Sequence, residues 1–179
     1  SQGSFVRAMA TRCHSTDGVI SAYSHADFPL ELLLERKRDS LTVVLPAREV
    51  ADTVGEIVER ILALDGLVDQ VLVVDADSAD GSADVARAAG AEVVGEADLL
   101  PEHGAMLGKG DAMWRALAAV RGDLVAYIDS DTRDFDPVFV TGLFGPLLCE
   151  HGVEFVKGAY SRPFTAGDTV VPDGGGRVS

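Results

Sequence analysis

Two carboxylates one residue apart, Asp129 and Asp131, close the apolar run Leu124-Val125-Ala126-Tyr127-Ile128, and Thr132-Arg133-Asp134 follows. In an extended tail, residues i and i+2 project to the same side, so both acids can face one cation. A hard divalent ion takes oxygen ligands and commonly bridges a few carboxylates to substrate phosphates. Such a pair at the carboxyl end of a parallel strand suits a bound nucleotide diphosphate, although a solvated acidic turn has the same local signature. Gly108-Lys109-Gly110 precedes a helical pattern. Glycines let the backbone approach a ligand, helix-start N–H groups favour anions, and a lysine there could neutralise a phosphate oxygen. This is not a Walker A loop: only three residues separate Gly104 from Gly108, and Gly110 stands where Ser or Thr should follow. A solvated lysine in a mobile loop is the plainer alternative.

Two further segments carry chemistry. Asp75-Ala76-Asp77-Ser78-Ala79-Asp80-Gly81-Ser82 reads as a helix-capping loop, with Ser82 or a nearby acid as cap, or as one wall of a nucleotide pocket. Gly174-Gly175-Gly176-Arg177-Val178-Ser179 offers amides, a guanidinium and a hydroxyl together, a set suited to phosphate or carboxylate, against the competing reading of a disordered tail. His103 and His151 have no partner at metal-ligand spacing and read as loop residues. Met113 and Trp114, on the helix after Lys109, read as core.

These residues need a frame. Residues 1–26 show no clean periodicity and read as an irregular lead-in, after which Asp27-Phe28-Pro29 opens a helix with Asp27 as cap. From Leu41 the pattern alternates. Leu41 to Ala47 is β-rich and nearly all apolar, as in a strand covered on both faces. Thr53 to Leu64 repeats apolar residues at helical spacing, through Val54, Ile57, Val58 and Ile61. Gln70 to Val74 is a second buried strand, Ser82 to Ala89 a short helix, and Ala91 to Val94 a third strand. A long connection, Gly95 to Gly110, leads into a helix over Asp111 to Val120 and a fourth strand over Asp123 to Ile128. A helix begins at Asp136-Pro137 and reaches about Cys149, and Glu154 to Tyr160 is a last strand. This alternation predicts a mostly parallel sheet flanked by helices, with right-handed crossovers giving the order 3-2-1-4. Ligands of such sheets sit beyond the carboxyl ends of the strands. Pro46-Ala47-Arg48-Glu49, the Asp75 turn and Asp129-Ser130-Asp131 all fall at that edge.

Composition narrows the class. The 179 residues suffice for one domain with a real core and are too few for two large ones. A formal charge of −14 argues against a nucleic-acid partner, which needs a basic surface. No apolar run approaches the roughly 20 residues that span a bilayer. The start of the chain does not read as a secretory signal. Cys13 and Cys149, far apart, suit a reducing compartment and argue against a disulfide scaffold or zinc site. A cytoplasmic location is the resulting expectation.

Leu45-Pro46-Ala47, the Asp75-to-Ser82 turn, Gly108-Lys109-Gly110-Asp111-Ala112-Met113-Trp114, Asp129-Ser130-Asp131 and Gly176-Arg177-Val178 occur in this order. Together they resemble the motifs of the glucosyl-3-phosphoglycerate and mannosyl-3-phosphoglycerate synthases, retaining glycosyltransferases of α/β GT-A (Rossmann-like) fold. The resemblance runs from about Leu41 to Ser179. It implies an arm and helix over 1–40, a nucleotide-sugar-binding domain over 41–160 and the start of an acceptor region over 161–179. It further implies transfer of a hexose from a nucleotide diphosphate to the 2-hydroxyl of 3-phosphoglycerate with Mg²⁺ or Mn²⁺ as cofactor. By the same resemblance, Pro46, Ala47 and Ser78 line the nucleoside site, with Glu49, Asp77 and Ser130 completing the nucleotide-sugar set. Lys109 helps hold the donor, Asp129 contacts the ribose and sugar side, and Asp131 ligates the metal. Gly176, Arg177 and Ser179 bind the acceptor, Ser179 replacing the usual threonine.

One departure bears on the base. The glucosyl enzymes carry an acid where this chain has Val50, in the uracil pocket, which argues against strict UDP use and for GDP-mannose; Glu49 could substitute by a small register shift. The enzymes it resembles also continue past Ser179, with a histidine metal ligand, more acceptor contacts and a homodimer surface. A non-catalytic nucleotide-binding module is therefore the rival from another class. A sugar-nucleotide pyrophosphorylase would need a glycine- and arginine-rich loop after the first strand, and Pro46-Ala47-Arg48-Glu49 has no glycine. A receiver domain fits the Gly95–Gly110 loop poorly. Compatible-solute synthesis is the role expected for mannosyl products, and polysaccharide priming that for glucosyl ones.

Overall fold

Segments buried on both faces can be apolar throughout, and two such segments form the centre of one four-stranded sheet. A computed structural model of the chain describes residues 6–12, 20–160, 164–166 and 169–171, with side chains over 21–158. Its elements in chain order are β1 (Val6–Arg12), β2 (Ile20–Ser24), α1 (Leu30–Arg36), β3 (Leu41–Ala47), α2 (Val54–Leu62), β4 (Gln70–Asp75), α3 (Ser82–Ala88), β5 (Glu92–Gly95), α4 (Lys109–Ala116), β6 (Leu124–Tyr127), α5 (Val138–Cys149), β7 (Val153–Tyr160), β8 (Phe164–Ala166) and β9 (Thr169–Val171). Two units divide these elements, one of residues 34–137 and one of residues 1–33 with 138–179.

The 34–137 unit is a parallel four-stranded sheet in the order β5-β4-β3-β6. That is the 3-2-1-4 order expected from the alternation. Every residue of β4 is buried, as is every residue of β3 except Pro46, whereas the outer strands β5 and β6 are mostly half-buried. Removing such side chains from water stabilises the fold by about 1.5–3 kcal/mol each, less the entropy of ordering them. From α2, Val54, Ile57, Val58 and Ile61 are buried, the stripe that the sequence spacing predicted.

A polar ladder holds the amino edge of the sheet. The Thr42 hydroxyl donates to Gln70 Oε1 at 2.9 Å and accepts from the Gly122 amide at 3.0 Å. Gln70 Nε2 donates to Glu92 and to the Ala119 carbonyl, each at 3.0 Å. Gly122 is locked by this arrangement: an added Cβ would lie 2.7–2.9 Å from Thr42 Oγ1, the Thr42 nitrogen and the Ser40 carbonyl. Two of those three neighbours are backbone. Gly122→Ala should therefore destabilise the protein by about 1–3 kcal/mol, read as a lower urea midpoint at unchanged slope. An unchanged midpoint would show that the β3 entry can move aside.

The second unit departs from the sequence reading. Residues 6–12 and 20–24 are strands rather than an irregular lead-in, and β2-β1-β7 form an antiparallel sheet with a register shift at Thr11/Arg12. Val6-Arg7-Ala8-Met9-Ala10-Thr11-Arg12 alternates only weakly in hydrophobicity, and its strand character comes from pairing with a segment about 150 residues away. Asp27 does not cap α1. It closes a capping box around the 3₁₀ turn His25–Asp27, accepting the Ser24 amide at 2.9 Å while Ser24 Oγ accepts from the Ala26 amide at 3.3 Å. No helix among the described residues is long and apolar enough to cross a membrane.

Candidate functional site

Because β3, β4, β5 and β6 run parallel, their carboxyl ends share one edge, and four connections leave from it. Between that edge and α4 lies a cleft of about 290 Å³. Its floor is Val44, Val74 and Ala116. Pro46, Ala47, Arg48 and Val50 line it after β3, Ala76 after β4, Glu96 after β5, and Asp129, Ser130 and Asp131 after β6; α4 adds Gly108, Lys109, Ala112 and Met113.

The segment after β6 does not stay extended as expected; it turns at Ser130 and Asp131, and its backbone is held on both sides of that turn. The Ile128 amide donates to the Val44 carbonyl at 3.0 Å, and the Thr53 hydroxyl donates to the Ser130 carbonyl at 2.7 Å. Ser130 is 3% exposed, and its hydroxyl donates to the Pro46 carbonyl. With Ser130 turned inward, the acids on either side line the cleft. The Asp129 carboxylate accepts from Lys109 Nζ at 2.6 Å, an ion pair that joins the start of α4 to the end of β6. Asp131 is exposed, and its carboxylate makes no hydrogen bond or ion pair among the described residues.

That donor chemistry fits a hard cation. Asp131 presents free anionic oxygens at the cleft, and no group of three His, Cys, Asp or Glu gathers among the described residues. A cation held by one or two carboxylates with its other positions open to water and phosphate is the arrangement typical of Mg²⁺ at nucleotides.

The loop before α4 is held from inside. Arg115 is 3% exposed and pairs with Asp111 at 3.1 Å. Its guanidinium also donates to the carbonyls of Leu99 at 3.3 Å and Leu100 at 3.1 Å. Asp111 accepts the Leu107 amide at 3.0 Å; that bond, then Arg115, keeps its carboxyl below the usual aspartate range. Lys109 thus stands on a helix whose approach is pinned by a buried arginine.

The Asp75 turn is mainly lacing. The Glu49 amide donates to Ser78 Oγ at 3.0 Å, and the Ala79 amide to Glu49 Oε1 at 2.8 Å. The Val50 amide donates to Ser82 Oγ at 2.8 Å, while Asp80 accepts from the Ala51 and Ser82 amides, each at 2.9 Å. The Ser82 hydroxyl and then the Ala51 amide hold the Asp80 carboxyl low. Glu49, Asp77 and Ser78 therefore stand beside the cleft rather than among its lining residues; Asp77 is exposed with φ 59°. Of the sequence-derived site residues, Pro46, Ala47, Lys109, Asp129, Ser130 and Asp131 come together. Gly176, Arg177 and Ser179 lie outside the described residues.

Three residues escaped the sequence reading. Thr53 and Glu96 carry no local signal, whereas Arg115 sits four residues after Asp111, a spacing that does suggest a helical ion pair. Trp114 is not core: it is 47% exposed and meets His103 edge-on, with ring centroids 5.1 Å apart. Met113 lines the cleft, and its carbonyl accepts from the Tyr127 hydroxyl at 2.7 Å.

The sequence family described as glycosyl transferase family 2 matches residues 42–162. The chain is 48% identical over 141 residues to the glucosyl-3-phosphoglycerate synthase of Mycolicibacterium smegmatis, covering 78% of this chain and 46% of that protein. It is 33% identical over 166 residues to the enzyme of that name from Petrotoga mobilis, covering 88% and 51%. Among solved structures, mannosyl-3-phosphoglycerate synthase from Rubrobacter xylanophilus superposes with TM-score 0.70 at 53% identity, over 72% of this chain and 43% of that one. Glucosyl-3-phosphoglycerate synthase from Mycobacterium tuberculosis, solved with Mn²⁺, UDP-glucose and phosphoglyceric acid, superposes with TM-score 0.65 at 41% identity, over 69% and 45%. The chain spans about half the length of the curated relatives it matches.

Proposed function

The chain belongs to glycosyl transferase family 2, with a GT-A-like sheet, and from that premise we propose that it works as a metal-dependent transferase moving mannose from GDP-mannose to the 2-hydroxyl of 3-phosphoglycerate. The observation that carries the metal-dependent transferase reading is the meeting of Lys109, Asp129 and Asp131 at one cleft beyond a parallel sheet. The choice of GDP-mannose is supported by Val50 in place of an acid and by the 53% identity to the mannosyl enzyme. Asp131 holds the cation, which when bound offsets charge on the departing diphosphate. Lys109 exchanges its Asp129 partner for a phosphate oxygen, so that its ammonium also meets the charge of the leaving group. Asp129, released, accepts from donor hydroxyls. Pro46 and Ala47 present an apolar wall to the nucleoside.

Gly176, Arg177 and Ser179 take the acceptor in this proposal, on the strength of the family motif. Arg177→Ala should then raise the KM for phosphoglycerate by about tenfold or more, as expected for a lost charge-assisted pair, and leave nucleotide affinity unchanged. Loss of donor affinity in calorimetry would move Arg177 to the other substrate.

A glucosyl transfer from UDP-glucose is the second reading, favoured by the names of the curated relatives and by the UDP-glucose complex of the M. tuberculosis enzyme. A panel of GDP- and UDP-linked mannose and glucose, assayed with D-3-phosphoglycerate and Mg²⁺, separates the two. Diphosphate release should be greatest with GDP-mannose and depend on the acceptor. Release indifferent to phosphoglycerate would end the transferase proposal.

A further inference from the structure

The cleft contains a third acid, distant from the first two. Glu96 opens the turn after β5, at the sheet edge opposite β6 in the order β5-β4-β3-β6. Three strand spacings separate those edges, roughly 14 Å. A nucleoside diphosphate anchored by its phosphates at Lys109 and Asp131 and lying along the carboxyl edge directs its base toward β4 and β5. Glu96 is half-buried there, its side chain makes no hydrogen bond or ion pair among the described residues, and apolar Val50, Val74 and Ala76 line the same cleft.

The neighbouring acids are committed elsewhere. Glu49 accepts the Ala79 amide, Asp80 accepts the Ala51 and Ser82 amides, and Asp75 Oδ2 accepts the Ser78 amide at 3.1 Å, while its Oδ1 is buried. None of the three lines the cleft. Val50, which does, has spent its amide on Ser82 and carries no polar group. The register shift that would let Glu49 serve is barred by the bonds Glu49 makes in both directions with the Ser78–Ala79 segment.

Resting on the donor reading above, we propose that Glu96 is the residue that selects the nucleobase, and that it selects guanine. A carboxylate accepts through two oxygens and donates through none. The guanine N1–H and N2–H₂ lie side by side on one edge, matching both oxygens in a charge-assisted fork. Uracil offers a single N–H between two carbonyls, so a carboxylate brought to that edge gains one bond and faces two like-polarity oxygens.

The test uses calorimetric titration of the 179-residue chain with GDP and with UDP in Mg²⁺, beside Glu96→Gln and the control Glu102→Gln. Wild type and control should bind GDP at least about tenfold tighter than UDP, the discrimination typical of a bidentate base contact. Glu96→Gln should lose about tenfold or more in GDP affinity and hold UDP within about twofold, which also reports an intact fold. GDP affinity untouched in Glu96→Gln overturns the assignment of Glu96 alone. UDP bound as tightly as GDP by wild type overturns guanine selection and leaves the transferase reading standing. Equal loss of both nucleotides overturns it too, since Glu96 would then support the fold rather than read a base. Failure of wild type to bind either nucleotide removes the donor site itself, and this proposal with it.

Discussion

Asp131→Ala should lower kcat by about two to three orders of magnitude while leaving the unfolding free energy within about 0.5 kcal/mol of the parent. The contrast follows from where Asp131 sits. Its carboxylate is exposed and makes no bond to the described protein, so truncation leaves no buried group unpaired. The backbone around it is held by other hands: Thr53 on the Ser130 carbonyl, Ser130 on the Pro46 carbonyl and Val44 on the Ile128 amide. A cation held at this end of the cleft would, by contrast, lose a carboxylate ligand that no protein bond encumbers among the described residues. Steady-state transfer with saturating Mg²⁺, beside urea unfolding of the same preparation, checks both halves. Near-normal turnover would take the metal away from Asp131, and a large stability loss would make that acid structural.

Lys109→Met should reduce kcat/KM for the donor by about two orders of magnitude and weaken nucleoside diphosphate binding, while affinity for the bare nucleoside stays put. Lys109 pairs with Asp129, and both side chains are well exposed, at 65% and 44%. A pair so open to solvent contributes under about 1 kcal/mol to stability, so thermal unfolding should barely move. At a bound diphosphate the same ammonium would face several anionic oxygens at once, and its contribution would be larger. Asp129→Asn separates the roles further. It frees Lys109, so nucleoside diphosphate affinity should hold or rise even as transfer falls. If Lys109→Met and Asp129→Asn instead weaken diphosphate binding equally, the pair acts as a unit, and no exchange of partners takes place.

Buried central strands are the most readable elements in such a chain, and β3 and β4 were legible because nearly every residue in them is buried. From those strands, the right-handed crossover rule and the helical spacing of α2, the order 3-2-1-4 follows. The meeting of Pro46 and Ala47 with Asp129 and Asp131 was legible for the same reason, since a parallel sheet sends every strand's carboxyl end to one edge. Lys109, by contrast, stands at a helix start and was singled out by its flanking glycines and the family motif. Trp114 was misplaced because a helix of mixed composition does not declare which face meets the sheet. Strands β1 and β2 were missed because weak alternation says little until a partner strand is in place.

The residue types along 41–131 determined by themselves the parallel sheet, its order and the edge to which the segments after β3, β4 and β6 run, because burial period is written in each segment and the crossover hand is fixed by chain chirality. Only the tertiary structure decided that Glu49 laces two loops, that Thr53 and Ser130 orient the acids, and that Glu96 stands at the far end of the cleft. The lacing by Glu49 and the orientation of the acids depend on hydrogen bonds between segments some 30 to 84 residues apart. Which donor meets which acceptor is settled by packing in three dimensions, and no window of sequence contains both partners.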